Sequence, residues 1–291
     1  MKHKVRVKGL QSINLPNLNE TLLSMKHFNY ILLIIAISLS TKSFADNISE
    51  LSDKQLHTIG QKIYHNETGS NPEYLIAWNK GEAFASLGLG HFIWFPEGTD
   101  SRFTETFPSL LHYMQSKGVD IPAWLQKQKH CPWQTKEDFI KAKNSKQMQD
   151  LRHLLISTFE HQLRFIQQRM RQSLPLMLAT LDSPESKIRV AGRFEALTAN
   201  DLGMYSLIDY VNFKGEGTSE TEKYNNQGWG LLQVLLNMQD DADNPHMAFS
   251  RSCDAMLTRR VENSPQRDVE QNWLAGWRRR CATYNDVNTL E

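Results

Sequence analysis

Leu56, Ile59 and Ile63 recur at three- and four-residue spacing in "LSDKQLHTIGQKIYHNE", with polar residues between them. That period predicts an amphipathic helix, capped by Ser52 or Asp53 and ended by Gly69 and Pro72. "FPSLLHYMQSKG" predicts a second helix, closed by Gly118. Met148, Leu151, Leu155, Gln162, Phe165, Ile166 and Met170 trace one long amphipathic helix. "LDSPESK" reads as a loop. "LGMYSLIDYVNF" reads as a buried helix running into the glycine-flanked loop from Lys214 to Gly217. "WGLLQVLLNM" is apolar nearly all round, the pattern of a central helix. Two more helical patterns close the chain. The glycine- and aromatic-rich stretch at 84–95 breaks the helical period and predicts a small β element. The pattern therefore predicts a mainly α fold of the α+β kind.

The amino terminus follows a different pattern. Met25-Lys26-His27 precedes the apolar run "YILLIIAIS" from Tyr30 to Ser38, and Ser43 and Ala45 supply small residues at an A-x-A-like site. The run is too short for a membrane span and has the layout of a secretory signal. Residues 25–45 are read as that signal, 1–24 as an upstream start-site artefact, and 46–291 as the mature domain. This predicts a periplasmic or secreted protein with no stable membrane insertion after cleavage. The mature part holds 27 Lys and Arg against 31 Asp and Glu, a net charge of about −4. Such a balance lacks the basic footprint of a nucleic-acid partner.

Export changes the reading of Cys131, Cys253 and Cys281, since disulfides persist in oxidising compartments. Phe249, Cys253, Met256 and Leu257 share one helical face, and Trp273, Leu274, Trp277 and Cys281 share another. Inward-facing thiols on the two faces favour a Cys253–Cys281 bridge with Cys131 left over. Three buried free thiols are the alternative. No pair has CxxC spacing, no metal-ligand spacing is seen, and no HExxH, GxSxG or P-loop motif implies a cofactor.

Glu67 occupies the next place on the apolar stripe after Ile63. A carboxylate there must be paired, hydrogen-bonded or facing a cleft. Semi-burial is expected to raise its pKa, as a general acid requires. Some twenty residues on, "SLGLGH" ends at His91. This segment resembles the T-I-G-x-G-H signature of phage-type lysozymes, in which a helix ending on the catalytic glutamate precedes a small β element with a Gly-x-Gly-His turn. "WGLLQVL" is similar to the G-L-M-Q segment of soluble lytic transglycosylases, of the same lysozyme-like superfamily. The resemblance covers about residues 55–95 and implies a divergent, lysozyme-like glycosidase acting on peptidoglycan or a related aminosugar polymer. It implies Glu67 as acid, Glu82 as second carboxylate and Ser86 as positioner of water. Glu82 stands two residues nearer the histidine than the family's second acid.

Glycoside hydrolysis needs one protonated carboxyl for the leaving oxygen and a second carboxylate for water or the cationic centre. Glu216, between Gly215 and Gly217, competes with Glu82 for the second role. The polar residues of "DYVNFKGEG" and "EKYNNQGWGLLQ" suit a carbohydrate cleft. Tyr224, Gln227 and Gln233 are expected substrate contacts, with Trp94 as a groove-lining ring. His91 is expected beside the substrate in a structural role. A non-catalytic glycan-binding or inhibitory protein on the same fold is the alternative function.

Overall fold

A computed structural model describes residues 51–239 and 244–290. The signal and upstream segments read from the sequence lie outside these residues. The fold is mainly helical with small antiparallel sheets. Among the described residues no helix is long and apolar enough to cross a membrane.

Helix α1 spans Asp53–Thr68. Ser52 caps it, taking the Gln55 amide while the Gln55 side chain returns to the Ser52 amide, and Gly69 ends it in the left-handed conformation at φ 59°. Three short strands follow, β1 (Ile76–Ala77), β2 (Ala85–Leu87) and β3 (Phe92–Trp94). They form one antiparallel sheet in the order β1-β2-β3, with Ala77 opposite Ser86 and Ser86 opposite Ile93. Strand β2 stops at Leu87, so residues 88–91 interrupt the β element expected over 84–95. They form the tight turn into β3.

Helices α2 (Phe107–Ser116), α3 (Ala123–Gln126) and α4 (Lys136–Lys141) lead to α5 (Lys146–Ser157) and α6 (Phe159–Ala179). The single long helix expected over 148–170 is thus two. The break falls at Thr158, whose ψ of 22° is non-helical and whose hydroxyl donates to the Leu154 carbonyl. Periodicity persists across a one-residue break, so apolar spacing alone does not reveal it. Helix α7 (Pro184–Thr198) begins inside the expected "LDSPESK" loop. Ser183 caps it and Pro184 takes the first turn, where its missing N–H costs nothing. Helix α8 (Asp201–Lys214) leads through the 215–217 loop to a two-stranded ribbon, β4 (Lys223–Tyr224) and β5 (Gln227–Gly228). Helix α9 (Leu231–Asn237) is buried, and α10 (Pro245–Asn263) and α11 (Arg267–Thr283) close the fold.

Tyr205, Tyr210, Phe249 and Tyr284 fill the core between α8, α10 and α11. Cys253 and Cys281 form the disulfide between the last two helices, while Cys131 is free and buried. Burial pushes the Cys131 thiol up to about 12, so it is inert as a nucleophile. A bridge across 28 residues removes chain entropy from the unfolded state worth about 3.5 kcal/mol. Urea unfolding with and without reductant should show a loss of that order. A loss under about 1 kcal/mol would mean that helix packing alone holds α11 in place.

Candidate active site

The glycine turn explains itself through two side chains that enter it. Gly88 has φ 72°, and a Cβ there would collide with Gln162 Oε1. That oxygen accepts the Leu89 amide at 2.7 Å, while the Gln162 amide nitrogen donates to the Leu155 carbonyl at 2.7 Å. Gly90 has no room for a Cβ beside Asn212 Oδ1. The glycines therefore admit protein side chains from α6 and α8. His91, at φ 46°, completes the turn, and its backbone N–H returns to the Gly88 carbonyl.

That turn delivers His91 to the end of α1, where Nδ1 lies 3.2 Å from Glu67 Oε2. Glu67 Oε1 accepts from Arg280 Nη2 at 2.5 Å and from Asn212 Nδ2 at 3.3 Å. Arg280 lies one residue before Cys281 on α11, so the disulfide fixes its approach. Arg280 also pairs with Asp209 through Nε and Nη2 at 2.8 and 2.7 Å. Asp209 is fully buried and further accepts the Tyr284 hydroxyl at 2.7 Å. One guanidinium thus serves two carboxylates.

The Glu67 side chain is only 8% exposed. Burial pushes its carboxyl up, but Arg280 and His91 outweigh burial and hold it below the usual carboxylate value. This corrects the expectation of a raised pKa in the free protein. The cation responsible comes from 213 residues away in sequence, where helical spacing carries no information. Glu82 shifts the other way. Burial pushes its carboxyl up, only partly offset by hydrogen bonds from Asn79 Nδ2 at 3.0 Å and Ser86 Oγ at 3.4 Å and by His91.

A carboxyl raised by folding contributes its full stability at low pH and loses it as pH rises through the shifted value. Glu82→Gln removes that penalty while leaving an amide oxygen for Asn79 and Ser86. The variant should therefore melt higher than wild type at pH 7 and equal to it near pH 4. A lower melting temperature at pH 7 would mean that charged Glu82 is a structural asset.

Two hollows meet at this point. One, of about 550 Å³, is walled by Lys62, Asn66, Glu67, Trp277, Arg279 and Arg280; the other, of about 320 Å³, by Thr104, Arg169, Asn212, Lys214, Glu216 and Arg260. His91 and Phe213 line both. Glu67 and His91 are therefore brought together where the hollows meet, whereas Glu82 and the buried Ser86 line neither hollow; Glu82 is linked to the site through the charge of His91, which reaches both acids.

Other expected residues sit elsewhere or hold the scaffold. Glu216 lines the smaller hollow but is paired with Arg169 through Nη2 at 2.9 Å and Nε at 3.2 Å. Gln233 braces backbone with both ends of its amide, taking the Gly230 N–H and donating to the Gly217 carbonyl. Tyr224 is buried and donates to Glu270 Oε1 at 2.7 Å. Gln227 is exposed on β5 away from both hollows. Trp94, expected in the groove, is 1% exposed and packs against Phe107 at 4.9 Å between ring centroids. An aromatic in a three-residue strand with one buried face has an equal sequence claim on core and groove. Arg280, Arg169 and Trp277 were missed; "WRRRC" gives no sign of which arginine turns inward.

Among the described residues no group of three or more His, Cys, Asp or Glu is placed to hold a metal ion. No protein-family model, curated protein or solved structure matches the chain.

Proposed function

We propose that the protein is an exported glycosidase of the lysozyme-like class, cleaving the glycan strands of peptidoglycan or a related aminosugar polymer by general acid catalysis. The observation that carries this reading is the pair Glu67 and Glu82. Glu67 lines a hollow with His91 Nδ1 at 3.2 Å, and Glu82, within electrostatic reach of the same histidine, is pushed the opposite way by its surroundings, which is how environments divide acid and base roles. The disulfide fits a periplasmic or secreted location.

Glu67 acts as the acid once the glycan is bound. Its cluster of two carboxylates and one guanidinium carries a net negative charge before His91 is counted. A glycan covering the hollow removes water and strengthens burial, the largest influence on Glu67 and the one that favours its proton. Glu82, with the Ser86 hydroxyl beside it, assists water or stabilises the developing positive charge.

The ion pair that keeps Glu67 charged in the free protein favours one rival, a non-catalytic glycan-binding or inhibitory protein. Incubation with purified murein and mass spectrometry of the soluble products separates the two. Release of muropeptides supports the enzyme, with reducing ends marking hydrolysis and anhydro ends marking lytic transglycosylation. Binding to murein, chitin and chitosan without any released fragment would replace it by the binding module.

A further inference from the structure

Lys214 ends α8 and turns its ammonium into the smaller hollow. Its Nζ lies 3.9 Å from the centroid of Phe213 and 3.8 Å from that of Trp277, held between two ring faces. Arg169 is paired with Glu216, Arg260 with Glu270, and Arg280 with Glu67 and Asp209. Lys214 makes no hydrogen bond or ion pair with any described residue, so it is the cation left unanswered there. His91 lines the same hollow, and its Nε2 has no hydrogen-bond partner among the described residues. A lysine without a counter-charge, in a hollow whose arginines are already paired, describes a seat for a negatively charged group.

We propose that Lys214 receives a carboxylate carried by the glycan, so that the cleft selects acidic aminosugar polymers over neutral or cationic ones. This rests on the glycosidase reading and narrows its substrate.

The surroundings give the interaction a distinctive signature. Burial pulls the Lys214 amine well below its ordinary value, and Arg260 and Arg280 push it the same way, against the weaker pull of Glu270 and Glu67. His91, Glu216 and Glu222 also face this hollow. An arriving carboxylate opposes burial and the two guanidinium groups, so the ligand raises the amine's affinity for its proton, and at a pH near the lowered value binding is accompanied by proton uptake.

Isothermal titration with short aminosugar oligomers that carry or lack a lactyl carboxylate tests this, in two buffers of different ionisation enthalpy. Wild type should bind the acidic oligomer about tenfold tighter or more, with a buffer-dependent enthalpy that reports proton uptake. Lys214→Met should bind both oligomers alike and lose the buffer dependence. Lys214→Arg, permanently charged, should keep the preference without proton uptake. Equal binding of both oligomers by wild type, or an unchanged preference in Lys214→Met, overturns the Lys214 assignment and leaves the glycosidase reading standing. Failure of wild type to bind either oligomer overturns both.

Discussion

Arg280→Ala should cost about 3–5 kcal/mol of stability at neutral pH, because it leaves buried carboxylates without their cation. Asp209 is fully buried, and the side chains of Glu67 and Arg280 are 8% and 9% exposed. Screening by solvent is correspondingly weak. The loss is large against the total stability of about 5–15 kcal/mol typical of a domain. It has a defined pH dependence. The Glu67 carboxyl is held low in the folded wild type, so its pairing contributes stability above the unfolded carboxylate value and loses it as pH falls through the folded one. In the variant Glu67, without the Arg280 charge that opposes burial, protonates more readily. The deficit relative to wild type should therefore shrink from pH 7 toward pH 4. Replacing both sides, as Arg280→Met with Asp209→Asn, should recover part of the loss by removing the unpaired charge. Urea unfolding at several pH values gives all three quantities. A deficit below about 1 kcal/mol, or one unchanged with pH, would show that water reaches the cluster.

The same cluster marks the boundary of what local pattern reveals. Glu67 could be singled out because it breaks its own helix stripe, and the Gly-x-Gly-His turn because glycines are scarce in helical surroundings. Both signals live within one or two turns of chain. The Cys253–Cys281 bridge was readable for a related reason, since each thiol sits on an apolar face with a 3–4 period. Arg280 was not readable. It belongs to a run of three arginines, of which Arg278 instead pairs with Asp254 at the surface. Which of the three faces inward depends on the angle at which α11 crosses the end of α1, a property of the packed fold.

Gly88 and Gly90 make the converse point. Their spacing was legible, but its cause was not, since Gln162 and Asn212 occupy the space. Gln162 in turn explains the break between α5 and α6, because its amide nitrogen holds the Leu155 carbonyl and the Thr158 hydroxyl at that junction. A buried glutamine in an apolar stripe was visible in the sequence. Its partner, the Leu89 amide, lay 73 residues away and was not.

Glu67→Gln should reduce murein cleavage by about 10²- to 10⁴-fold, the range a positioned general acid contributes. The fold should survive this change better than the loss of Arg280. With Glu67 neutral, Arg280 still has Asp209 as counter-charge, and the new carboxamide oxygen still accepts a hydrogen bond. Activity and stability thus separate: Glu67→Gln is inactive and folded, while Arg280→Ala is inactive because it is destabilised. The pH profile of wild type distinguishes an acid from a structural carboxylate. In the free protein the carboxyl is held low, so kcat/KM should fall as pH rises from the acid side. In the complex, burial by the glycan raises the same group, so the fall in kcat should come at higher pH than the fall in kcat/KM. Glu67→Gln should abolish this limb along with most of the rate. Cleavage at near wild-type rate by Glu67→Gln, with the limb intact, would pass the acid role to Glu82, whose carboxyl already holds its proton more tightly in the free protein.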